Sequence, residues 1–168
     1  MRVLEEQPCG LITAFDRIVV AAWTAIPIDE LMAASLLRAG QREAERQGKI
    51  AILVVLPPDS PMPTDAVRKR IQEDMRRMDP FVVCGATVID KAGFRGSALR
   101  AVVSTMQLIA RPTHPEKVFA SAEEAVHFIR GELQRAGFDP PLPLDVLTWY
   151  RAIVDRARAL GTGTQTSS

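Results

Sequence analysis

A chain of 168 residues, 47% apolar and 24% charged, has the composition of one globular domain and is long enough to bury a core without disulfide or metal staples. Its 21 basic and 20 acidic residues leave a net charge of +1, which excludes a molecule drawn as a whole onto nucleic acid or an anionic membrane. Cys9 and Cys84 stand in no metal-ligand or C-x-x-C spacing, no apolar run approaches the roughly 20 residues that span a bilayer, and the N-terminus has no leader pattern. These features predict a cytoplasmic protein with both thiols free and no membrane anchor.

Leu11 to Phe15 and Ile18 to Trp23 are two β-forming runs broken by Asp16-Arg17, which predicts an antiparallel hairpin with a glycine-free turn. Asp29 is the expected N-cap of a first helix, with Leu31, Ala34, Leu37 and Ala44 on its apolar face and Gly48 as its stop. Ile50 to Leu56 is an unbroken apolar run, the pattern of a central strand covered on both faces. The proline-rich stretch 57–64 must be a loop, and Thr64 caps a second helix marked by Val67, Ile71, Met75 and Met78. Asp74 in that helix reads as part of a solvated charged face.

Pro80 ends the second helix, and Phe81 to Ile89 is the next strand. After a turn at Asp90 to Gly93, a third helix from Ser97 carries Leu99, Val102, Val103, Met106 and Ile109. Val118-Phe119 is a short strand. Ser121 and Glu124 form a capping box that opens a fourth helix with Ala122, Val126, Ile129 and Leu133 inward. A stiff Pro-rich connector then leads to a fifth helix over about Leu144 to Leu160, whose stripe of Val146, Tyr150, Ile153, Ala157 and Leu160 needs cover from its own domain or from another chain.

Strands alternating with helices predict an α/β fold: a mixed, mostly parallel sheet of about five strands, an N-terminal hairpin, four helices and one extra C-terminal helix. The expected organisation is a domain over residues 1–138, a linker and appended helix over 139–160, and a disordered tail over 161–168.

This order resembles the STAS-like superfamily, and within it the SpoIIAA-like branch, which is similar in fold to SEC14 domains. The resemblance is carried by Val19-Val20-Ala21-Ala22-Trp23, by Lys49 to Leu56, by Ala92-Gly93-Phe94-Arg95-Gly96, and by Val118 to Ala125. It implies a bacterial, non-enzymatic regulatory module that docks on another protein, with a homodimer as one arrangement and no cofactor. The SEC14 likeness implies an alternative, a carrier or sensor of an apolar or amphipathic small molecule. Phosphorylatable members carry an Asp-Ser-Ser or Asp-Ser-Gly-like turn after the central strand. This chain has Asp59-Ser60-Pro61-Met62-Pro63-Thr64 there, so no phosphoswitch and no catalytic residue carries over.

The residues themselves show no nucleophile set and no metal spacing. His114 and His127, the chain's two histidines, read as structural or surface groups. Loops at the carboxyl ends of parallel strands are the usual binding edge. That places a candidate anion or partner site at Asp59, Ser60, Thr64 and Arg68, joined by Gly93, Phe94, Arg95, Gly96 and Arg100. The alternative is an apolar pocket between the sheet and the third or fifth helix, lined by Phe94, Met106 and Trp149. Nucleic acid is not an expected partner, because exposed aromatics are not interleaved with the basic residues.

Overall fold

A computed structural model describes residues 2–57, 60–61, 63–89 and 94–163, with the backbone alone for Phe94, Arg95, Met106 and Ala110. Six strands, β1 (Arg2–Gln7), β2 (Gly10–Phe15), β3 (Ile18–Trp23), β4 (Ile50–Val55), β5 (Val82–Val88) and β6 (Glu116–Phe119), form one sheet in the spatial order of the sequence. β1, β2 and β3 pair antiparallel, and β3 to β6 pair parallel. The expected α/β class and mixed sheet are present. The strand beyond the expected five is β1, whose charged side chains hide its pattern; on the sheet edge, such charge also blunts pairing with another chain.

The hairpin joins β2 and β3 at Asp16, which adopts φ 51°. Aspartate tolerates that left-handed conformation better than most side chains, so the turn closes without glycine. Five helices follow: α1 (Glu30–Gln47), α2 (Asp65–Met78), α3 (Phe94–Ala110), α4 (Ala122–Arg135) and α5 (Pro143–Gly163). Asp29 Oδ1 caps α1 by accepting the Met32 N–H at 2.7 Å. Thr64 Oγ1 does the same for α2 from Val67, and Ser121 Oγ for α4 from Glu124, both at 3.3 Å.

Two expectations about helix faces change. Leu31 is 70% exposed, and Met32 and Ala33 take the inward positions at the start of α1. Asp74 is not solvated; it is 6% exposed on the buried face of α2.

Consecutive parallel strands added in one direction through right-handed crossovers put their helices on one face. α1, α2 and α3 accordingly lie on the same side of the sheet. α4 and α5 cover the other side, where Leu11, Ile18, Val20, Leu53 and Cys84 meet Ile129, Leu133, Val146 and Ile153 in one buried cluster. α5 therefore finds its cover within the chain, against β2, β3 and α4. Its helix runs on through Gly161, Thr162 and Gly163, past the expected end at Leu160. The remainder of the expected tail, 164–168, lies outside the described residues.

Candidate functional site

The α1–α3 side of the sheet is packed unevenly. Near β2 and β3, Ile12, Val19, Ala21, Met32 and Leu37 are tightly buried. Farther along, α2 and α3 span β4 to β6, and a cavity of about 180 Å³ lies between them and the strands. Its floor is Ile52 and Val54 of β4 with Gly85 and Thr87 of β5. Its roof is Ile71 and Met75 of α2 with Leu99, Val102 and Val103 of α3.

The cavity ends in a half-buried polar cluster. Asp79, in a single 3-10 turn after α2, accepts the Thr113 N–H at 2.8 Å and the Thr113 hydroxyl at 2.6 Å. His114 Nδ1 lies 2.8 Å from Asp79 Oδ1 without hydrogen-bond alignment, and His114 Nε2 lies 3.1 Å from Glu116 Oε1. Glu116 can lie flat on the sheet because residue 85 is glycine: a Cβ there would meet Glu116 Oε1 at 2.5 Å. These contacts clasp the end of α2 to the segment that joins α3 to β6. Burial alone would raise the Asp79 carboxyl, but the two Thr113 hydrogen bonds and the neighbouring His114 hold it below its ordinary value. Among the described residues, no group of three or more His, Cys, Asp or Glu side chains is arranged to hold a metal ion.

Six buried side-chain polar atoms lack a hydrogen-bond partner among the described residues, and three belong to residues that line this cavity: Ser60 Oγ, Asp74 Oδ1 and His114 Nδ1, the last of which lies against Asp79. Buried polar atoms are nearly always satisfied, so their concentration on one apolar cavity marks it out. Asp74 Oδ2 accepts from Arg70 Nε at 2.8 Å, while Asp74 Oδ1 has only the Arg77 guanidinium at 3.9 Å.

The residues expected to form a binding edge are divided by the structure. Ser60 faces the cavity, with its N–H donating to Pro57 O at 3.0 Å. Thr64 is engaged as the α2 cap. Arg68 pairs with Asp65 and borders an open groove between α2 and α3, opposite Ala101, Thr105 and Ile109. The expected turn at Gly93 to Gly96 is helical from Phe94 onward, and Gly96 is buried in the first turn of α3. Arg100 folds back, donating to Ile89 O at 3.1 Å and to Ser97 Oγ at 3.0 Å. Asp59 and Gly93, and the side chains of Phe94, Arg95 and Met106, lie outside the described residues.

Trp149 belongs to the opposite layer. It sits on α5, which covers β2 and β3, and its ring lies 5.2 Å from that of Phe15. It therefore does not share a pocket with α3. Asp74 and the Asp79–His114–Glu116 cluster are the polar groups that sequence reasoning missed. A signal for Asp74 was present, since it stands seven residues after Val67 and four before Met78, on the apolar face of α2. His127 is exposed on α4. No helix among the described residues is long and apolar enough to cross a membrane. Comparison of the chain with protein-family models, curated proteins and solved structures finds no match.

Proposed function

We propose that this protein is a non-enzymatic carrier or sensor of a small apolar or amphipathic molecule, which it holds between the sheet and α2–α3. One observation carries this: a partly open, apolar cavity of about 180 Å³ lined by Ser60 and Asp74, each with a buried polar atom that has no hydrogen-bond partner. Ligand sites are typically built this way, from an apolar lining with a few convergent polar groups. The polar groups at its end are held against one another by Asp79 and Thr113, which favours binding over chemistry. Native mass spectrometry of the purified chain tests the proposal. The expected result is a stoichiometric added mass that organic extraction releases. A clean apo chain that also gains no thermal stability from small apolar probes would sink it.

A second reading is favoured by the groove between α2 and α3. There Arg68 and Lys69 stand beside Ile109, and Leu108 and Ile109 of α3 are 75% and 54% exposed. In that reading the chain is a regulatory module of STAS-like type that docks on another protein in the bacterial cytoplasm, as a monomer or a homodimer. Helix and strand order supports the likeness. The two readings are compatible, because α2 and α3 form both the cavity roof and the groove wall. Arg68→Glu should abolish docking and leave ligand retention intact.

A further inference from the structure

We infer that the molecule held in this cavity is about the size of one aromatic ring and carries a hydrogen-bond-donating head, a hydroxyl or an ammonium, received by Asp74. This rests on the carrier reading above and names the ligand class. Size comes from the volume: an apolar cavity of roughly 150 Å³ admits benzene, so about 180 Å³ takes in a ring with a short substituent. Head-group chemistry comes from Asp74. Asp74 is 6% exposed and lines the cavity, and its buried Oδ1 has no hydrogen-bond donor. A carboxylate oxygen only accepts, so the partner it lacks is a donor.

Charge points the same way. Glu116 adds a second carboxylate to the lining, so an anionic head would meet like charge in a poorly solvated space. The nearby cations are already committed: Arg70 donates to Asp74, and Arg77 stands on its solvent side, 59% exposed. Ser60 Oγ, also unpartnered and on the lining, can accept or donate and so can serve a hydroxyl head as a second contact.

Isothermal titration calorimetry of the full chain with toluene, benzyl alcohol, benzylamine and benzoate decides the matter. Benzyl alcohol or benzylamine should bind about tenfold more tightly than toluene, the worth of one hydrogen bond to a charged acceptor, and benzoate should bind most weakly. Asp74→Leu should erase the donor preference and leave toluene affinity unchanged. If that variant does not fold, the comparison on the unaltered chain stands alone. Toluene binding as tightly as both donor probes would overturn the inference and leave the cavity reading intact, since a trapped water would then suffice for Asp74. Tightest binding of benzoate would overturn it as well. Failure of all four probes to bind would remove the cavity reading itself.

Discussion

The two faces of the sheet solve the same problem differently. Under α4 and α5, every strand from β2 to β5 contributes side chains that are almost fully buried, and Ile129, Leu133 and Ile153 fill the space above them. Under α2 and α3, β4 and β5 present Val54, Gly85 and Thr87 to a cavity, bridged where Gln107 Nε2 of α3 donates to Thr87 Oγ1 at 3.5 Å. Cys84 and Gly85 are adjacent, yet one is sealed in a dry core and the other makes room for a carboxylate. Strand alternation lets one sequence carry a structural face and a receptive face at once. Close packing is the rule for interiors, so the face that departs from it is where function is to be sought.

Truncation separates the faces most strongly. Leu133→Ala on the full side should cost about 3 kcal/mol, a drop in Tm of about 6–12 °C by thermal denaturation for a chain of this size. Filling the other side should do the reverse: Val103→Phe should leave stability within about 1 kcal/mol of the parent while ending ligand retention, whereas overpacking a full core costs about 1–3 kcal/mol. A large loss of stability from that substitution would show that the α2–α3 side is as full as its opposite.

The clasp at the cavity end gives a smaller effect with a pH signature. Asp79→Asn should lower stability by about 1 kcal/mol at neutral pH, from the weakened Thr113 hydrogen bonds. Asp79 has a lowered value in the fold, so its contribution is complete above the ordinary 3.8 and is lost as pH falls through the lower folded value. Parent and variant should therefore begin to converge as pH falls below about 3.8 and meet only beneath the lowered folded value, which acid titration by circular dichroism would reveal. The smallest effect concerns the thiols. Burial, then Glu132 and Glu116, push Cys84 up to about 12, and burial followed by Asp29 raises Cys9. Neither should react with iodoacetamide at pH 8 in the native chain, and both should label on unfolding.

Much of the fold was legible because local signals agreed with the global arrangement. Asp29, Thr64 and Ser121 capped the helices expected of them, and the run from Ile50 gave a central strand, fully buried on its α4–α5 face and partly on the other. β1 was illegible because an edge strand paired on one side needs no apolar alternation, and Arg2, Glu5 and Glu6 mask it. The candidate site was legible only in part. Ser60 was anticipated, but as part of a surface loop, and Trp149 was placed on the wrong side of the sheet because a helical stripe does not say which face it covers. The Asp79–His114–Glu116 cluster had no pattern to read. Its members come from a helix stop, a loop and a strand, brought together only when β6 docks on β5.

The sheet's spatial order also bears on how the molecule is made. Every strand pairs with its predecessor in the chain, so the sheet can grow one strand at a time as synthesis proceeds, with no gap held open for a later arrival. α5 departs furthest from that progression. It returns across the sheet to β2 and β3, and Arg156 pairs with Glu6 on β1. Until it arrives, Leu11, Ile18 and Val20 lack their cover, and a nascent chain stalled before residue 143 would present a sticky, chaperone-binding surface on an otherwise assembled sheet.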